Sequence, residues 1–377
     1  MATQRILDFL AKERPEGPCL VVDLDVVRRN FETFARTLPE TNIYYAVKAN
    51  PAPEVLRLLV ELGSSFDTAS VAEIQMVLDA GAVPARISYG NTIKKERDIA
   101  RAFELGVRLF AVDSIPEVEK IGRAAPGSRV FCRVLTDGAG AEWPLSRKFG
   151  CSRDMAVQVM ERAKNLGLVP FGLSFHVGSQ QPDTSAWDRA LADASRTFRA
   201  LARKKIRLSM VNLGGGFPTR YLKDVPAVDD YAQAIFGALR RHFGNRIPET
   251  IIEPGRAMVG NAGVIKTEVV LISRKSDKDR TRWVYLDIGK FGGLAETMDE
   301  AIRYPIRTPR DGGEMAPCVI AGPTCDSMDV LYEKTTYPLP VSLEIGDELL
   351  IEATGAYTTT YSSVAFNGFP PLQAYII

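Results

Sequence analysis

Apolar residues in this chain gather in short unbroken runs more than in strict alternation. Runs at 42–47 (NIYYAV), 64–67 (SSFD), 86–89 (RISY), 108–112 (RLFAV), 129–135 (RVFCRVL), 171–176 (FGLSFH), 208–213 (LSMVNL) and 250–253 (TIIE) predict strands. Near-continuous apolar runs suit strands buried on both faces, as in a parallel sheet. Between them, apolar positions recur at helical spacing and predict helices over 54–62, 70–80, 94–105, 152–166, 186–202 and 228–243. Ser70, with Glu73 three residues on, reads as a helix cap, and Gly81 and Gly106 read as helix stops. The stretch 1–15 reads as an amphipathic helix with Ile6, Leu7, Phe9 and Leu10 turned inward.

Eight strand–helix repeats over some 220 residues match the arithmetic of a parallel (β/α)8 barrel of the TIM type. A doubly wound open sheet fits the same count, but no G-x-G-x-x-G follows the first strand. After Gly260 the pattern changes. Strands are predicted at 264–273, 283–288, 318–321, 349–353 and 372–376, separated by Gly, Pro and Asp turns, with one short helix at 294–301. This predicts a second, mostly antiparallel β domain. The early strand 18–22 either joins the barrel or stands with the second domain. The division adopted is a barrel over 24–262 and a β-rich domain from 1–23 and 263–377.

Composition narrows the class. The chain has 377 residues, 46% hydrophobic and 25% charged, with a net charge of +1. That balance offers no basic surface for nucleic acid or an anionic membrane. No window is apolar for the roughly 18 residues of a membrane span. The charged N-terminus lacks a signal-peptide core. Five cysteines without a C-x-x-C pair point to reduced thiols and a cytoplasmic location. Two histidines make a histidine-rich metal site improbable, and no metal is expected.

In a barrel, the residues just after each strand meet at one mouth. Here they are Lys48, Asp67, Tyr89, Asp113, Arg133, His176, Gly214-Gly215-Gly216 and Glu253. Lys48 ends a buried strand, and Asn50-Pro51-Ala52-Pro53 cannot continue it. It is either a surface lysine or a buried amine with a lowered pKa, able to condense with an aldehyde. The triple glycine is either a tight turn or a nest of backbone N–H groups for an anion. Its position after the seventh strand matches the usual phosphate site of such barrels. Arg256, in Glu253-Pro254-Gly255-Arg256, is either a surface residue or a second phosphate ligand. A lysine and an anion nest at one mouth suggest pyridoxal 5′-phosphate (PLP), with Glu253 at the ring nitrogen and His176 against the ring face.

The motifs YAVKAN (45–50), FDTAS (66–70), SFHVGS (174–179), NLGGGFP (212–218), EPGR (253–256), GPTCD (322–326), GAY (355–357) and FNGF (366–369) run along nearly the whole chain. With them the chain resembles the fold-type III PLP decarboxylases, the alanine-racemase-like barrel group, and within it the bacterial ornithine/lysine decarboxylases. The resemblance implies that Lys48 holds the cofactor, His176 stacks on its ring and Glu253 pairs with its ring nitrogen. It implies that Ser179, Gly215, Gly216, Arg256 and Tyr357 bind the phosphate, with Asp67 and Arg133 around Lys48 and Glu253. It also implies a head-to-tail homodimer in which the partner subunit's Cys325 and Asp326 complete each site, and a contact between Lys148 and the partner subunit's Asp329.

Cys325 is then either a buried structural thiol or the acid that returns a proton to the α-carbon. Asp326 is either a turn cap or the receiver of a diamino acid's distal ammonium. Phe366 is expected beside the substrate. In the stretch 291–296 the chain departs from the eukaryotic pattern, and Glu296, Asp299 and Glu300 compete to read the far amine, with Glu296 preferred. The implied reaction is decarboxylation of L-ornithine to putrescine, or of L-lysine to cadaverine, in polyamine biosynthesis. Diaminopimelate decarboxylase is the first alternative, although that enzyme carries Cys-Glu-Ser where this chain has Cys325-Asp326-Ser327. A non-catalytic regulatory homologue is the second.

Overall fold

The computed structural model describes residues 2–136, 138–142 and 148–377. By compactness the chain divides into one unit of residues 28–218 and 225–257 and another of 1–27, 219–224 and 258–377.

The first unit holds a closed barrel of eight parallel strands: Thr41–Ala46, Ser65–Thr68, Ile87–Tyr89, Leu109–Val112, Arg129–Arg133, Val169–Ser174, Met210–Asn212 and Glu249–Ile252. The last pairs with the first at Thr41↔Thr250, which removes every open edge. All eight predicted strands are present, so the closed barrel displaces the open-sheet alternative. Tyr44, Leu109, Ala111, Phe131, Met210 and Ile251 interlock as one buried cluster, with Phe171 packed on it. These side chains come from six strands and fill the barrel interior as a solid layer. Gly172 has a local reason: a Cβ there would sit 2.4 Å from the Met210 carbonyl on the neighbouring strand.

Helices alternate with the strands close to their predicted bounds. Ser70 accepts from the Glu73 N–H at 3.2 Å, and Glu73 in turn accepts from the Ala69 N–H at 2.6 Å. Gly81 and Gly106 take positive φ at the helix ends, where a side chain would be strained. The helix Ile115–Ala124 was not expected.

The second unit holds an eight-stranded mixed sheet. Its spine is Gly263–Ser273, which pairs antiparallel with Glu348–Glu352, Arg282–Leu286 and Cys19–Val22. The strand Cys19–Val22 also pairs parallel with Gln373–Ile376, so it belongs to this sheet rather than to the barrel. Arg282–Leu286 pairs parallel with Met315–Ala321, an exception to the expected antiparallel pattern. The long strand Val330–Pro340 was missed. The helix expected at 294–301 is only a 3-10 turn, Ala295–Glu300, broken where Asp299 and Glu300 take positive φ. Among the described residues no helix is long and apolar enough to cross a membrane, and no cluster of three metal-binding side chains occurs.

Candidate active site

The strand Thr41–Ala46 gives way to a single 3-10 turn, Val47–Ala49. Val47 and Ala49 bury their side chains, which leaves Lys48 exposed at the strand's C-terminal end. That exposure matches the surface-lysine alternative rather than the buried-amine one. The Lys48 charge opposes the burial that raises the pKa values of Asp67 and Glu73, and adds to the burial that lowers that of His176.

Glu253 follows the last barrel strand and is fixed from two sides. Its backbone N–H donates to the Gly214 carbonyl at 2.9 Å. Its Oε1 accepts from Asn212 Nδ2 at 2.5 Å, while Asn212 Oδ1 accepts from the Gly214 N–H at 2.9 Å. A backbone N–H can only donate, so that second bond sets the amide's orientation and aims its NH2 at Glu253. One buried asparagine therefore ties the carboxylate to the glycine turn. Asn212 was not singled out in the sequence; the only signal for it was its place as last residue of the seventh strand.

Asp67 is buried at the end of the second strand and accepts from Ser88 Oγ at 3.2 Å. Burial, with the Glu253 charge adding to it, raises its pKa well above the ordinary carboxylate range. Gly90 makes room for it, since a Cβ at that position would lie 1.8 Å from Asp67 Oδ1. Glu73 also has a raised pKa, chiefly through burial. Burial lowers the pKa of Arg133, against the charges of Glu253, Asp67 and Asp113. His176 Nδ1 accepts from the Gly178 N–H at 3.0 Å. Burial and then the Arg133 and Lys48 charges push its pKa well below the usual value, so the ring stays neutral with its proton on Nε2.

The glycine turn is crowded by backbone. A Cβ on Gly214 would lie 2.2 Å from the Phe175 carbonyl, one on Gly215 2.6 Å from the Glu253 carbonyl, and one on Gly216 2.4 Å from the Gly178 carbonyl. Gly214 and Gly216 also take positive φ. Nearby, the buried Arg256 donates from its guanidinium to Ser179 Oγ at 3.3 Å. The barrel thus assembles Lys48, Asp67, Arg133, His176, Ser179, Gly215, Gly216, Glu253 and Arg256 in one unit. Side-chain-free backbone, a buried arginine and a hydroxyl suit a phosphate; a fixed carboxylate suits a pyridine nitrogen; a neutral imidazole suits an aromatic face. This donor set fits PLP.

The remaining candidates lie in the β-rich unit. Cys325 is exposed, and its N–H donates to Asn367 Oδ1 at 2.9 Å. Asp326 Oδ1 accepts from the Met328 N–H at 2.8 Å, closing a turn with one oxygen. Asp329 is buried and accepts from Lys290 N, Thr324 N and Thr324 Oγ1, which ties down the turn that carries Cys325. Phe366 packs on Phe291 with ring centroids 4.8 Å apart. Tyr357 sits at positive φ with its ring 5.9 Å from that of Tyr361. Of the three acidic candidates, Glu300 accepts from the N–H groups of Glu333, Lys334 and Thr335 and from Arg303. Asp299 pairs with Lys334 at 3.0 Å. Glu296 is buried.

Comparison with known proteins matches this picture. The family profile described as pyridoxal-dependent decarboxylase, pyridoxal binding domain, covers residues 24–260. The chain is 34% identical to the lysine/ornithine decarboxylase of Selenomonas ruminantium, over 97% of this chain and 91% of that protein. It is 33% identical to antizyme inhibitor 2 of Xenopus laevis, over 97% of this chain and 82% of that one. Among solved structures, the lysine/ornithine decarboxylase of Vibrio vulnificus complexed with cadaverine superposes with a TM-score of 0.89 at 30% identity, covering 100% of both chains.

Proposed function

Since the chain belongs to the pyridoxal-dependent decarboxylases, with PLP as its cofactor, we propose that it decarboxylates a basic L-amino acid, chiefly L-ornithine to putrescine and CO2. L-lysine to cadaverine is the secondary reaction, and both serve polyamine biosynthesis in the cytoplasm. The observation that carries the reading is the carboxylate of Glu253, held by Asn212 beside a glycine and arginine nest. When bound, PLP supplies the aldehyde that captures the substrate amine and the electron-accepting ring that takes the pair left by CO2.

The protein's own groups do the rest. Lys48 provides the amine that holds the cofactor. Glu253 has one oxygen engaged by Asn212 and offers the other to keep a proton on the ring nitrogen. An aspartate or glutamate in that role strengthens the ring as an electron sink, as carbanion chemistry needs. The neutral His176 packs on the ring without adding a charge. Arg256, Ser179 and the glycine N–H groups bind the phosphate, joined by Tyr357. The site is completed in a homodimer, where the partner subunit's Cys325 returns the proton to the α-carbon. The partner subunit's Asp326 receives the distal ammonium, with Phe366 lining the side-chain channel. Glu296 remains the candidate for the far amine, as the acidic residue that follows the Gly292-Gly293 turn most closely.

Ornithine and lysine differ by one methylene, a distinction worth about 1–3 kcal/mol. Product analysis with ornithine, lysine, arginine and diaminopimelate in parallel tests the assignment. Putrescine as the main product and cadaverine as the minor one is expected. Agmatine alone, or lysine formed from diaminopimelate, would overturn it. The likeness to antizyme inhibitor 2 favours a second reading, a non-catalytic regulatory homologue. Purified protein that neither binds PLP nor releases CO2 from any of the four would select that reading.

A further inference from the structure

Two thiols meet just behind the barrel mouth. Cys132 Sγ lies 3.6 Å from Cys151 Sγ, and both side chains are buried. Cys132 is the next-to-last residue of the strand Arg129–Arg133. Cys151 makes an isolated parallel bridge with Val134, just past the end of that strand. The Cys151 N–H donates to the Arg133 carbonyl at 3.1 Å, and its Sγ lies 3.6 Å from the same oxygen. The other three cysteines belong to the β-rich unit. All five thiols are free in the structure.

We propose that Cys132 and Cys151 are a redox-sensitive pair whose oxidation to a disulfide reversibly slows turnover by displacing Arg133. The consequence for turnover rests on the site reading above; bond formation does not. A disulfide needs its sulfurs about 2.0 Å apart, so the pair must close by about 1.6 Å. Gly150 donates to Asp113 Oδ2 at 2.9 Å, and Cys132 is paired on both sides, with Val112 and Leu173. Whichever sulfur moves, the displacement reaches Arg133, which follows Cys132 in the chain and whose carbonyl accepts the Cys151 N–H at 3.1 Å. The Arg133 charge acts on His176, and its own ionisation is supported by Glu253 and Asp67.

The oxidant is a peroxide. Cys151 is the less buried residue of the pair, 8% exposed against 0% for Cys132, so oxidation is assigned to start there. Its thiol takes one oxygen from hydrogen peroxide to become a sulfenic acid and releases one water. The Cys132 sulfur then attacks that sulfur, the S–O bond breaks, and the oxygen leaves with the Cys132 proton as a second water. Two thiols lose two hydrogens in all, and the peroxide O–O bond takes up the two electrons.

Trypsin cuts after Arg129, Arg133, Lys148 and Arg153, which isolates Val130–Arg133 and Phe149–Arg153. Holoenzyme treated with hydrogen peroxide, blocked with an alkylating reagent and digested without reductant should yield these two peptides linked, two hydrogens lighter than their sum. Ornithine turnover should fall about tenfold and recover with dithiothreitol, in keeping with the rate cost of small displacements in a catalytic constellation. Cys151→Ser should lose both the link and the reversible component, and keep any loss caused by oxidation of the exposed Cys325. Unlinked peptides under these conditions would overturn the proposal, as would a link formed with kcat unchanged. A protein that turned over none of the four amino acids would defeat the functional reading while the peptide map still decided the disulfide.

Discussion

Replacing Asn212 by alanine removes two hydrogen bonds that hold the Glu253 carboxylate and the glycine turn together. Asn212 is buried, and its partners are a carboxylate oxygen and a backbone N–H. A hydrogen bond to a charged group contributes about 2 kcal/mol, and a buried N–H left without an acceptor costs about 1–3 kcal/mol. The two together predict a loss of about 3–5 kcal/mol in stability, provided no water enters to replace the amide. The catalytic effect is separable. If the bond to Glu253 persists at full strength in the transition state, its loss lowers kcat/KM by about 30-fold, the rate equivalent of 2 kcal/mol. Urea unfolding measures the first quantity and steady-state decarboxylation the second, on protein saturated with PLP so that weakened cofactor binding does not enter. The pH profile of the bound cofactor's visible absorbance should shift as well, because the carboxylate facing the ring nitrogen has lost its anchor. A variant that unfolds more easily yet keeps wild-type kcat/KM and spectrum would show that Asn212 supports the turn alone, and the positioning argument would fail.

Other consequences follow from the same geometry. His176 has a folded-state pKa well below its unfolded one, so between the two values the unfolded chain binds the extra proton. Its contribution to stability is therefore lost as pH falls from about 6.5 downward, and His176→Phe should flatten the stability curve of the cofactor-free protein below that pH; an unchanged slope would contradict the neutral-ring assignment. Lys94 and Glu117 form an ion pair at 3.0 Å with side chains 0% and 4% exposed. Removing one partner should cost about 3–5 kcal/mol, whereas the double variant Lys94→Met, Glu117→Leu should cost less than the sum of the singles in a denaturation cycle. Burial lowers the Lys94 pKa to about 8; stability should thus rise with pH between about 8 and 10.5, and this rise should vanish in Lys94→Met. Gly215→Ala places a Cβ 2.6 Å from the Glu253 carbonyl; the purified variant should retain much less PLP, read from the cofactor's absorbance after dialysis, and full retention would remove the turn from the phosphate site.

The barrel was legible because burial on two faces writes itself as an uninterrupted apolar run, and eight such runs leave few architectures. What failed to show had competing local signals. Val330–Pro340 contains Pro338 and Pro340 and buries its residues irregularly, so it lacks the pattern of a strand interior. Ile115–Ala124 has Pro116 as its second residue and includes Gly122, residues that mark loops by composition yet are tolerated in a helix's first turn or against a close neighbour. At 295–300 the acidic residues look helical in isolation. The backbone instead turns left-handed so that the Glu300 carboxylate can accept three N–H groups from the segment 333–335. That preference comes from a contact more than thirty residues away, and no local window contains it.

The site divides along the same line. Residues that depend on topology, such as Lys48, His176 and Glu253, could be located by counting strands, because a barrel sends every strand end to one mouth. Residues that depend on a partner could not. Gly90 matters only because Asp67 occupies the space its side chain would need, and Asn212 only because Glu253 lies 41 positions later in the chain. Glu73 was legible as a helix cap, yet its burial and its coupling to Lys48 place it among the charges of the mouth. The protonation pattern is likewise a product of assembly. Burial, then the Arg133 and Lys48 charges, keep His176 neutral, while burial and then the Glu253 charge hold Asp67 toward its protonated form. Each of those residue types would carry its ordinary charge in an isolated peptide. The barrel's contribution is to bury these groups and bring like charges close, so that His176 and Asp67 are both pushed toward their neutral forms.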